Sequence, residues 1–159
     1  MGRRGGVKLR QVLPDSSYGS PVVTKLINKI MRNGKKTVAQ REVYNALNII
    51  KAKIDQDPLQ VLEKALENIK PSMEVRPRRV GGAAYQVPIS VKGLRRESLG
   101  IRWLVKSALG RSNSEFHTFA DKLAAEIIEA FNGGGSAVKK KLEIERIAEA
   151  NRAFAHFRW

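Results

Sequence analysis

EVRPRRVGGAAYQVPISV, residues 74–91, is the stretch that decides the fold. Tyr85, Val87, Ile89 and Val91 recur at every second position, the period of a strand that turns one face toward apolar surroundings. Val80-Gly81-Gly82-Ala83-Ala84 supplies a flexible turn, and MEVRPRR (73–79) before it forms the partner strand. A proline stands in each half, Pro77 and Pro88. Proline is tolerated only where a strand is an edge. A two-stranded ribbon is all edge, so both prolines fit, and both discourage pairing with further strands. An isolated ribbon is marginally stable, and the expectation is a mobile arm projecting over 72–91. Arg76, Arg78 and Arg79 lie on it with Glu74 as the nearest acid, and Lys92, Arg95 and Arg96 continue the charge at its base. Guanidinium forks match phosphate geometry.

The segments on either side read as helices. Ser20-Pro21 is a capping hydroxyl followed by proline at the first helical position. Val23, Leu26, Ile27 and Ile30 form the apolar stripe of this first helix, which Asn33-Gly34 breaks. Lys25, Lys29, Arg32 and Lys36 occupy another face, and no acid interrupts 16–41. A solvated face ordinarily mixes signs. A second helix runs from about 36 to 54, with Ala39, Val43, Leu47, Ile50 and Ile54 inward. Asp57-Pro58 starts a third, with Gln60 placed to close a capping box, and Pro71 stops it.

After the ribbon, a fourth helix ends at Gly110 with Leu94, Ile101, Val105 and Ala108 as its stripe and Arg95, Arg102 and Lys106 as a basic row. Trp103 is either a core residue or a stacking surface. Phe116, Phe119, Leu123, Ile127 and Phe131 mark a fifth helix. Ser136 is placed to cap a sixth, whose first turns carry Lys139, Lys140 and Lys141 against the helix dipole. An outside anion would explain them. The expected fold is therefore mainly α: about six helices in one domain over 1–159, with a protruding two-stranded β-hairpin arm between the third and fourth. An extended basic tail (1–20) precedes the helices, and a C-terminal segment (148–159) ends the chain.

Charge sets the class of partner. Thirty Lys and Arg stand against 15 Asp and Glu, a formal net charge of +15 on 159 residues. Such an excess repels itself unless an anion neutralises it, and nucleic acid is the first candidate. Arg3, Arg4, Lys8 and Arg10 in the glycine-rich tail suit an arm lying on phosphates. The chain has no cysteine, which excludes disulfides, thiol chemistry and Cys-ligated metal. No apolar run approaches the roughly 20 residues of a membrane span, and no apolar signal core follows the basic N-terminus. The expected location is the cytoplasm.

Catalytic, cofactor and metal sites are not expected. His117 and His156 lie far apart without partner motifs, and NGKKT (33–37) lacks the upstream glycine of a phosphate-binding loop, Lys29 standing in its place. RNA fits better than DNA because no helix offers the Asn or Gln with Arg mixture of a major-groove reader. Backbone and shape recognition suits a folded RNA.

RPRRVGGAAYQVP (76–88) and AEANRAFAHFRW (148–159) resemble the family of small ribosomal subunit protein seven in its bacterial-type form. LPDSSYGS, NGKKTVA, DPLQVLEKALENIKP, IRWLV and AVKK follow in the family's order, so the likeness covers nearly the whole chain. The resemblance implies a mostly helical domain with a protruding hairpin. It also implies a structural role: binding the 3′ major domain of small-subunit rRNA, nucleating assembly of the head, and placing the hairpin near the exit-site tRNA and mRNA. It carries the tRNA- and mRNA-proximal role to Arg78, Arg79, Val80, Gly81, Gly82, Ala83, Ala84 and Tyr85. Its rRNA-facing set falls on Lys25, Lys29, Arg32, Lys35, Lys36, Arg76, Arg78, Arg79, Arg95, Arg96, Arg102 and Lys106, together with Arg3, Arg4, Lys8, Arg10, Lys92, Arg111, Lys139, Lys140 and Arg152. The implied protein neighbours are the platform protein eleven, near the C-terminal segment, and the head protein nine.

The chain departs from the family pattern at 112–118, which is less basic, and at 144–147, where Ile-Glu-Arg-Ile replaces Thr-His-Arg-Met. Two other classes remain open on the residues alone. One is a free-standing architectural DNA-binding protein using its β-arm in the minor groove. The other is an RNA-modifying enzyme, which would need a pocket with matched acid and base groups.

Overall fold

The computed structural model describes residues 11–157. Six α-helices and one hairpin follow in the order α1 (Pro21–Ile30), α2 (Lys36–Lys53), α3 (Pro58–Ile69), β1 (Met73–Val80), β2 (Ala83–Ser90), α4 (Gly93–Leu109), α5 (Phe119–Phe131) and α6 (Gly135–Ala150). A 3-10 helix, Arg152–Phe157, closes the described chain. The mainly α fold with a hairpin between the third and fourth helices is as expected.

Helix α5 is the central element and packs against α2, α3, α4 and α6. Leu26, Ile27, Leu47, Ile50, Leu62, Leu66, Leu104, Leu123 and Ile127 meet in one buried cluster. Each such side chain removed from water contributes about 1.5–3 kcal/mol, and Leu→Ala here would also leave a cavity. The stripes of the first two helices fall inward as the spacing predicts, with Ile30 and Ile54 at their ends partly buried against the core. In α4 the stripe is Leu99, Ile101, Leu104, Val105 and Ala108. Leu94, expected inward, is 64% exposed. It sits in the first turn of α4, on the rim of a cleft shared with Val12 and α1.

The helix ends follow capping chemistry, with two changes in where the capping contacts form. Ser20 Oγ accepts from Val22 N–H and starts α1, and Asp57 Oδ1 accepts from Leu59 N–H and starts α3. The reciprocal capping box forms at α5, between Thr118 and Asp121, so Phe116 lies in the preceding link instead of on the helix. Helix α6 begins at Gly135, not at a Ser136 cap. Its Ala137 N–H donates instead to Glu126 Oε1 of α5 at 2.8 Å. A buried carboxylate from a neighbouring helix thus does the work a serine hydroxyl would have done.

The composition of the tail predicts an extended segment over 1–20. Residues 1–10 lie outside the described residues, but 15–20 form a fastened turn. Asp15 is buried and accepts from Ser17 N–H, Tyr18 N–H and the Tyr44 hydroxyl, the last at 2.7 Å. Tyr18 packs edge-on against Tyr44. Burial, then the neighbouring Tyr44 and Asp15, push the Tyr18 phenol above its ordinary pKa.

Candidate nucleic-acid interface

The hairpin pairs in antiparallel register from Met73 opposite Ser90 to Val80 opposite Ala83. Its loop is Gly81-Gly82, both with positive φ (57° and 88°), the conformation of the two-residue turn that matches strand twist. The register sets Arg76 opposite Val87 and Arg78 opposite Tyr85, on one face; Arg79, opposite Ala84, belongs to the other. Arg79 and the residues 81–84 of the tip are exposed, and Arg78 is half-buried.

The arm is braced, which corrects the expectation of a freely mobile ribbon. The Tyr85 ring lies 5.1 Å from Phe154 and 5.3 Å from Phe157, centroid to centroid. The C-terminal 3-10 helix therefore clamps β2 through three rings. At the base, Glu145 Oε1 of α6 accepts from Ser72 N–H at 2.9 Å and from the Ser72 hydroxyl at 2.7 Å. Burial pushes the Glu145 carboxyl up, but these bonds outweigh it and hold the pKa below its ordinary value. The acid that departs from the family pattern thus has a structural partner.

Glu74 is 7% exposed and holds two arginines. Arg76 Nε donates to Oε1 at 2.7 Å, and Arg95 NH2 donates to Oε2 at 2.9 Å. Burial raises the Glu74 carboxyl; the bonds from Arg95 and Arg76 outweigh burial and leave it below the usual range. The effect is to orient two half-exposed guanidinium groups at the root of the arm.

The candidate cations divide into three groups. Lys29, Arg32, Lys35, Lys36, Arg102 and Lys106 are exposed, and among the described residues none has an ion-pair partner. Lys92 and Lys139 are exposed as well. A second group is partly engaged. Lys25 meets Glu97 of α4 at 2.6 Å, Arg96 lies 4.0 Å from Glu67, Lys140 pairs with Glu143, and Arg152 pairs with Glu149. The last two pairs are exposed and contribute little.

Arg111 stands apart. Its guanidinium meets Glu126 at 2.6 Å and Glu129 at 2.5 Å, with only 14% of the side chain exposed. Burial lowers the Arg111 pKa; the bonds to Glu129 and Glu126 outweigh it and raise it. Lys122 Nζ of α5 donates to Arg111 O of this link at 2.7 Å, so this cluster anchors 110–118 to α5 and α6. Arg3, Arg4, Lys8 and Arg10 lie outside the described residues. Lys141, one of the three lysines set against the α6 dipole, donates to Asn68 O near the end of α3 at 3.1 Å. It complements the negative end of a different helix.

Sequence reasoning missed Glu97 and Glu126, and it singled out Glu145 without foreseeing its partner Ser72. Glu126 left a signal, because it stands three residues after Leu123 on the buried face of α5.

Between α1, α2 and α4 lies a groove of about 510 Å³. Lys29, Arg32, Lys35, Arg102 and Lys106 border it, and Val38, Val105, Leu109 and Phe119 form its floor. Glu42, also in the groove, accepts from Ala120 N–H at 3.1 Å. No helix among the described residues is long and apolar enough to cross a membrane.

A helical scaffold with a clamped β-arm and a predominantly cationic face has the form of a polyanion-binding protein. The chain belongs to the ribosomal protein S7p/S5e family, whose model matches residues 2–152. It is 59% identical to the small ribosomal subunit protein uS7 of Caldicellulosiruptor bescii over 159 residues, the whole of both chains. It is 53% identical to uS7 of Nitrobacter winogradskyi, again over the whole of both. Against uS7 of Thermotoga petrophila it is 55% identical over 157 residues, 99% of each chain.

Proposed function

We propose that this chain is a structural, non-catalytic component of the small ribosomal subunit. It binds the 3′ major domain of small-subunit rRNA and nucleates assembly of the head. Its hairpin tip, Val80 to Tyr85 with Arg78 and Arg79, lies near the exit-site tRNA and mRNA. Proteins eleven and nine are its neighbours, and the ribosome of the cytoplasm is its location. The observation that carries this reading is the set of six exposed cations on α1, the α1–α2 link, the start of α2 and α4 that have no ion-pair partner among the described residues, in a chain of the ribosomal S7 family. Cations left without internal partners suit an external polyanion. Glu74 supports the role of the arm by fixing Arg76 and Arg95 at its root.

The test is a filter-binding titration of the full-length protein against separate transcripts of the rRNA domains and against duplex DNA. The expected result is tightest binding to the 3′ major domain. Equal binding to all the transcripts would remove the assignment of domain, and a preference for duplex DNA would favour the architectural DNA-binding reading.

A further inference from the structure

The groove between α1, α2 and α4 has an apolar floor, and that floor is unexpected on a surface meant only for phosphates. Val38 is 51% exposed and Leu109 is 46% exposed, and both line this groove together with five cations and one acid, Glu42. An A-form duplex offers such a ring its phosphates, but its bases are stacked and paired and cannot cover the floor. An unpaired nucleotide meets both needs at once. Its base provides an apolar, aromatic face, and the flanking phosphates reach Lys29, Arg32 and Lys35 on one lip and Arg102 and Lys106 on the other. The groove's 510 Å³ is in the range of clefts that bury small organic ligands, about 300–1,000 Å³.

Arg102 and Lys106 also border a second cleft, of about 380 Å³, on the opposite side of α4. There Trp103, packed against the core but half-exposed, stands beside Ser136 and Lys140. One turn of α4 thus forms a cationic ridge with an apolar wall on each side. A strand with splayed bases fits this shape, and a regular duplex does not.

We infer that the Arg102–Lys106 ridge holds the backbone of unpaired RNA, with one base seated in the groove over Val38 and Leu109. This rests on the proposed RNA-binding role and narrows it to single-stranded bulges, loops or junctions at this face.

The test is fluorescence anisotropy with the full chain and two RNAs, a perfect duplex and the same duplex carrying a short unpaired bulge. The wild type is expected to bind the bulged RNA about tenfold or more tighter, the scale of one buried base. Val38→Ser with Leu109→Ser changes two exposed positions, and circular dichroism verifies the fold. That variant is expected to lose the preference while keeping its salt dependence. Arg102→Gln with Lys106→Gln is expected to weaken binding to both RNAs and to lower the salt slope by about 1.4–1.8. Equal affinity of the wild type for the two RNAs would overturn the inference while leaving RNA binding intact, as would a preference that survives both serines. Failure to bind either RNA at low salt would remove the RNA-binding reading and this inference together.

Discussion

Replacing Glu126 with alanine is expected to destabilise the protein more than any other single carboxylate loss. Glu126 is fully buried, and its two oxygens serve different elements: Oε1 takes Ala137 N–H at the start of α6, and Oε2 takes Arg111 Nε at 2.8 Å. Removing one partner of a buried ion pair costs about 3–5 kcal/mol. The low end applies here, because Arg111 keeps Glu129. Loss of an N-terminal cap adds about 1 kcal/mol. The two losses share one side chain and are not additive, so the expected total is roughly 3–4 kcal/mol. For a chain of this size that lowers Tm by roughly 6–16 °C. Glu126→Gln keeps an acceptor for Ala137 but loses the charge facing Arg111, and is expected to cost less, about 2–3 kcal/mol. Urea unfolding followed by circular dichroism measures both variants. A loss under about 1 kcal/mol for Glu126→Ala would refute the role given to this carboxylate. Equal losses for the two variants would refute the capping contribution.

Three further outcomes are expected. Arg76, Arg78 and Arg79 all replaced by alanine should leave the helical core folded and lower the salt slope of RNA binding by about 0.7–0.9 for each phosphate these arginines neutralise; an unchanged slope would mean that they touch no phosphate. Glu74 and Glu145 have pKa values held below the ordinary value in the folded protein. Their contribution is therefore present above the unfolded carboxylate pKa and is lost as pH falls through the folded values. NMR of the Ser72 and Met73 signals should show the root of the hairpin loosening below about pH 4.5 before the core unfolds. Simultaneous loss of both regions would contradict this order. Tyr85→Ala should remove two ring contacts, each about 0.5–1.5 kcal/mol, and speed limited proteolysis within 72–91; an unchanged cleavage rate would show that the rings do not brace the arm.

The elements with strong local signals were legible in the sequence. Alternation at Tyr85, Val87, Ile89 and Val91 marked the hairpin, and Ser20-Pro21 and Asp57-Pro58 marked two helix starts. Lys29 of α1 and Arg102 and Lys106 of α4, which have no ion-pair partner among the described residues, were visible in the same way, because a basic row on one helix face is a local pattern. Contacts between distant residues were not legible. Lys25 looked unopposed because its acid, Glu97, lies 72 residues away. Arg111 read as one more surface cation because Glu126 and Glu129 reach it from the next helix. The mobile arm became a clamped one through Phe154 and Phe157, whose ring contacts with Tyr85 depend on how the chain end folds back. Leu94 followed the helical period yet fell on the surface, because its turn lies beyond the reach of the core.

The most direct test of the central claim is sedimentation of a cell lysate through sucrose gradients at increasing salt, with detection of this chain across the fractions. The account predicts stable co-migration with the small ribosomal subunit, persisting as loosely bound proteins are stripped away. Slow-sedimenting chain at every salt concentration would contradict it.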